Sequence, residues 1–69
     1  MKVKIGDRIS HSLFGGERLT GIIEDIQICR KGDKSGKSVK TADVKKHHGV
    51  IDLDNGHWCY FYQVISIVN

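Results

Sequence analysis

Sixty-nine residues, 39% of them apolar, leave room for a single domain over 1–69 whose core is only just large enough, which excludes a deep catalytic cleft within one copy. The formal net charge of +3 is too small to make the whole chain a polycation, and no apolar run is long enough to cross a bilayer. Behind Met1-Lys2-Val3-Lys4 there is no apolar stretch of a secretory kind, so a cytoplasmic location is expected, and with it free thiols at Cys29 and Cys59 rather than a bridge.

No window repeats apolar residues at helical spacing, so the elements are read as strands. Lys2 to Ile5 alternates, with Val3 and Ile5 on one face, and Gly6-Asp7 then kinks the chain before Arg8-Ile9-Ser10-His11 resumes it. Leu19 to Cys29 is rich in β-branched residues. Ile23 and Ile26 cannot share a face of a regular strand, so a bulge is expected near Glu24-Asp25.

Between Arg30 and His48 stand seven basic side chains against two acids, while the rest of the chain has four bases and six acids. The basic excess therefore belongs to this segment. Its glycines, serines and threonine, with only Val39, Ala42 and Val44 as apolar punctuation, predict a long flexible loop over about 30–46.

After the loop, Val50 to Phe61 reads as a hairpin about Asn55-Gly56, the favoured two-residue turn. Counting outward pairs Leu53 with Trp58 and Ile51 with Tyr60 on the core face, leaving His57, Cys59 and Phe61 on the other. The expected core is Val3, Ile5, Ile23, Ile26, Ile51, Leu53, Trp58 and Tyr60, with Phe61 exposed. Tyr62-Gln63-Val64 makes a tight turn, and Ile65 to Val68 a closing strand. Together these elements predict an all-β fold, a five-stranded SH3-like (Tudor/KOW-like) small barrel with a long basic loop between strands 2 and 3.

Chemical motifs are scarce. Gly32-Asp33-Lys34-Ser35-Gly36-Lys37-Ser38 has three residues between its glycines where a phosphate loop needs four. His47-His48 with His57 and Cys59 lacks the paired spacing of a metal centre. No serine sits in a nucleophile elbow. No catalytic residue, cofactor, metal or small-molecule substrate is expected.

The run Gly6-Asp7-Arg8-Ile9-Ser10-His11-Ser12-Leu13-Phe14-Gly15-Gly16, then Gly21-Ile22-Ile23 and Ile51-Asp52-Leu53-Asp54-Asn55-Gly56, resembles the Tudor-like module at the carboxyl end of UvrD/PcrA-type helicases. Gly21 lies further from Phe14-Gly15 than in that family, and the basic loop is inserted before the hairpin. The resemblance implies docking onto RNA polymerase or neighbouring nucleic-acid machinery. More remotely, size and the Gly-Asp-Arg opening are similar to the plasmid type II dihydrofolate reductases, tetramers whose shared pore is lined by a Val-Gln-Ile-Tyr run. Here Tyr60-Phe61-Tyr62-Gln63-Val64-Ile65 holds those residue types in another order.

Two non-catalytic functions lead, with an oligomeric type II dihydrofolate reductase-like enzyme as the remote third that the second resemblance implies. A nucleic-acid binder would neutralise phosphates with Arg30, Lys31, Lys34, Lys37, Lys40, Lys45 and Lys46 and add an aromatic contact from Phe14 or Phe61. A protein-interaction module would use a strand edge or the exposed Phe61, its lysines merely solvating the loop.

Overall fold

The computed structural model describes residues 1–29 and 36–68, which form eight strands and one 3-10 turn. The strands are β1 (Lys2–Lys4), β2 (Arg8–Ser12), β3 (Arg18–Cys29), β4 (Lys37–Val39), β5 (Thr41–Asp43), β6 (His48–Leu53), β7 (Trp58–Tyr60) and β8 (Val64–Ile67), with the 3-10 turn at Phe61–Gln63. Every pairing is antiparallel. Among the described residues, no helix is long and apolar enough to cross a membrane.

β1 and β5 form a two-stranded sheet, and the larger sheet runs β7-β6-β3-β2-β8 with β4 also on β3. The kink expected at Gly6-Asp7 is a full break: Gly6 takes φ +95°, and the strands either side of it join different sheets. The larger sheet ends at β7 and β8, which do not pair with each other. The all-β class stands, whereas eight strands in two open sheets replace the five expected in one barrel.

β3 organises the molecule because its first half pairs with β2 and its second with β6 and β4. The expected bulge is present. Ile23 faces Leu53 and Asp25 faces Asp52, so Glu24 is the extra residue, exposed, while Ile23 and Ile26 are both buried. An extra residue bends its strand and shifts the phase of alternation, which is what lets the two isoleucines reach one core.

Two expectations about the core are corrected. Segment 37–46 is not all loop: β4 and β5 lie within it, Ala42 and Val44 are buried, and Val39 packs on the core. The β6–β7 turn is also one residue longer than expected. Leu53 N–H donates to the His57 carbonyl, so Asp54, Asn55 and Gly56 form a three-residue loop, with Gly56 at φ +82°. Ile51 therefore faces Cys59, and Val50 faces Tyr60. A one-residue slip turns every side chain to the opposite face. Cys59 and Phe61 enter the core, while Trp58 is 51% exposed, Tyr60 lies at the surface and Ile5 is exposed.

Glycine makes this register possible at two places. A Cβ on Gly49 would overlap the Gln27 carbonyl oxygen and lie 2.6 Å from Phe61 Cζ, so the Phe61 ring occupies the space that a side chain would need. A Cβ on Gly21 would lie 2.8 Å from Asn55 Nδ2, which is how the β6–β7 turn can rest on β3. Asp54 fixes the same turn, its carboxylate accepting from Ile22 N–H at 2.8 Å and its own N–H donating to the Ile22 carbonyl.

Candidate functional site

Three local devices bring the aromatic residues together. The longer turn puts Trp58 and Tyr60 on the outer face of the edge strand β7. Gln63, buried, accepts from Tyr60 N–H at 2.8 Å and donates to the Ser12 carbonyl at 2.9 Å, which closes the 3-10 turn and ties it to β2. That turn sends Phe61 inward and Tyr62 outward. The β2–β3 connection is closed by Leu13 N–H to the Glu17 carbonyl and by Gly16, at φ +89°, donating to the Leu13 carbonyl, and it carries Phe14 beside β7.

The result is a continuous aromatic strip. Tyr60 is its centre: the Tyr62 ring stacks on it at 5.4 Å and 11°, the Trp58 ring stands edge-on at 5.1 Å, and the Phe14 ring lies at 6.2 Å. Phe14 is 78% exposed and Tyr62 72%. Four of the chain's five aromatic residues thus line one surface and leave only Phe61 to the core. A domain this small gains much from burying large rings, so a contiguous set held outside makes this face the candidate contact surface.

The charge along this surface is polarised. Across the sheet, Trp58 is followed by Asp52 and then Asp25, whose carboxylate accepts from Gln27 Nε2. At the other end the β5–β6 turn presents Lys45, Lys46 and His47, and β6 opens on His48, all exposed. A groove of about 460 Å³ opens there between Tyr60, Tyr62 and this turn. Asp43 shapes the turn: its carboxylate accepts from Lys45 N–H at 3.0 Å and pairs with the amino group of Met1 at 3.4 Å. Both contacts favour its charged form and, with the backbone bond to Lys45 foremost, hold its pKa below the ordinary value.

The residues expected to make contacts are divided by the fold. Arg30, Lys31 and Lys34 lie outside the described residues. Lys37 pairs with Ile28, in a row with Gly49, on the face opposite Tyr60, and Lys40 sits at the β4–β5 bend with its carbonyl bonded to Ile5 N–H. Among the described residues, Lys45 lines the groove beside the strip, Lys46 is exposed on the same turn and Phe14 belongs to the strip itself. Phe61 is corrected from an exposed contact to a core residue, 2% exposed. Trp58, Tyr60 and Tyr62 were missed as surface residues, and the signal that could have found them is Gly49, whose missing side chain makes room for an inward Phe61.

The cysteines face apart. Cys29 shares a row with the outward His48 and Cys59 with the inward Ile51, and both are free thiols. Burial pushes the Cys59 thiol up to about 11. Among the described residues no group of three or more His, Cys, Asp or Glu side chains is placed to hold a metal ion.

No family model, curated protein or solved structure matches this chain.

Proposed function

We propose that this chain is a non-catalytic binding module for single-stranded nucleic acid, with bases stacked on Phe14, Trp58, Tyr60 and Tyr62 and phosphates held by the segment from Lys45 to His48. The observation that carries this reading is the unbroken strip of exposed rings ending at a basic turn. Base-on-ring stacking contributes about 1–3 kcal/mol per base and tolerates any sequence, because every base has a π face. The polarity of the surface agrees with it: phosphates keep to the lysine side, while Asp52 beside Trp58 offers acceptors to the amino groups of bases. A duplex hides its base faces and gains little from such a strip.

In this reading the two sheets are an opened variant of the SH3-like barrel. The resemblance to the helicase-borne modules supports service to transcription or DNA-maintenance machinery. Titration of the protein with labelled single- and double-stranded DNA and RNA at two salt concentrations, followed by amide chemical shifts, tests the reading. Single strands are expected to bind at least ten-fold more tightly than duplex, to move the amides of residues 14, 58, 60 and 62, and to weaken as salt rises. No response to any nucleic acid at low salt overturns it.

A further inference from the structure

We infer that the groove beside the strip is a nucleotide pocket, taking one base with its phosphate. The inference deepens the nucleic-acid reading and rests on it. Three features of the groove belong to three parts of a nucleotide. Its floor is apolar, formed by the buried Val44, Gly49 and Phe61, and suits the face or edge of a heterocycle. Its wall is the stacked Tyr60–Tyr62 pair, whose rings lie 11° from parallel and prolong the platform into the opening. Its exposed rim bears Lys45, His47 and His48, an ammonium and two imidazoles able to donate to phosphate oxygens.

The volume, about 460 Å³, lies within the roughly 300–1,000 Å³ range of small-molecule sites. A free phosphate would leave the apolar floor uncovered, and a nucleoside would leave the cationic rim without a counter-charge. The group that satisfies both is a nucleoside monophosphate, either free or as one unit of a strand.

The test uses the full chain and amide chemical shifts, with UMP, CMP, AMP and GMP as probes beside the matching nucleosides and inorganic phosphate, followed by a ten-nucleotide single strand. At least one monophosphate is expected to move the amides of His48, Gly49, Tyr62 and Val64 saturably, at least five-fold more tightly than its nucleoside or inorganic phosphate. Lys45→Gln with His48→Gln, both at exposed positions, should weaken that binding at least five-fold. Monophosphates that leave these amides unmoved at millimolar concentration, while the strand still shifts Trp58, overturn the pocket and leave the stacking platform standing. Inorganic phosphate binding as tightly as the monophosphates overturns the base-binding part. Silence from the strand as well overturns both readings.

Discussion

The side-chain amide of Asn55 bridges β3 and the buried ring of His11, with Nδ2 lying 3.2 Å from His11 Nε2 and 3.0 Å from the Thr20 carbonyl oxygen. Because the amide donates, Nε2 must be the unprotonated nitrogen of a neutral imidazole, and the proton falls to Nδ1, which has no geometric hydrogen-bond partner among the described residues. His11 is wholly buried. Burial first, and the neighbouring His57 second, lower its pKa from the ordinary value. One buried ring thus positions the turn from which β7 and its aromatic residues depart.

Acid should therefore loosen the fold through His11. The unfolded chain takes up this proton as pH falls through about 6.5, while the folded chain resists it. The stability due to the neutral ring is complete above that pH and is lost between it and the lowered folded value. The slope from this group is at most about 1.4 kcal/mol per pH unit. Urea unfolding across pH 7.5 to 5 should show the loss, and His11→Gln, which keeps an acceptor for Asn55 without titrating there, should flatten the profile relative to wild type. Equal slopes in the two proteins would contradict the assignment.

Phe61 and Tyr62 are adjacent, yet their substitution should separate stability from binding. Phe61→Ala empties a core site and should cost about 3–5 kcal/mol in denaturant unfolding. Tyr62→Ala removes a ring that is 72% exposed and should cost under about 1 kcal/mol while weakening single-strand binding several-fold. The reverse pattern would mean that the β7 register is wrong.

Gly49→Ala tests the same register from the opposite strand. Its new methyl would meet both the Gln27 carbonyl and the Phe61 ring, and only the ring can yield. A loss of about 3 kcal/mol or more, or failure to fold, is expected, whereas Gly15→Ala, which meets nothing within 4 Å, should be tolerated. Thermal unfolding of the two variants side by side decides it.

The two thiols should differ in the folded protein. Cys29 is half-buried and Cys59 fully buried, with the latter's pKa pushed up to about 11, so a thiol reagent at pH 8 should modify one cysteine quickly and the second only after denaturation. Rapid reaction at both would place Cys59 outside the core.

The sequence made some of this legible and concealed the rest for identifiable reasons. The bulge at Glu24 could be read because Ile23 and Ile26 are both apolar and three apart, a spacing no regular strand places on one face. The β6–β7 turn could be located but not measured, since Asn-Gly serves two-residue turns and also ends three-residue loops with glycine in the left-handed region. That single residue decided whether Trp58 and Tyr60 filled the core or formed the site. Composition misled over 37–46, where lysines on strand edges obscured the inward alternation of Val39, Ala42 and Val44. The groove depends on the Gln63 contacts with Ser12, 51 residues away in sequence, which no local pattern encodes.

Stacking of bases on the exposed rings is reported by the chain's one tryptophan, Trp58, which lies in the strip. Its fluorescence, followed as a ten-nucleotide single strand is added at low salt, is the most direct measurement. Saturable quenching is expected that vanishes for Phe14→Ala/Tyr62→Ala at the same strand concentration and is at least ten-fold weaker with the matching duplex. Unchanged Trp58 emission at saturating strand, or equal quenching by strand and duplex, would contradict the stacking.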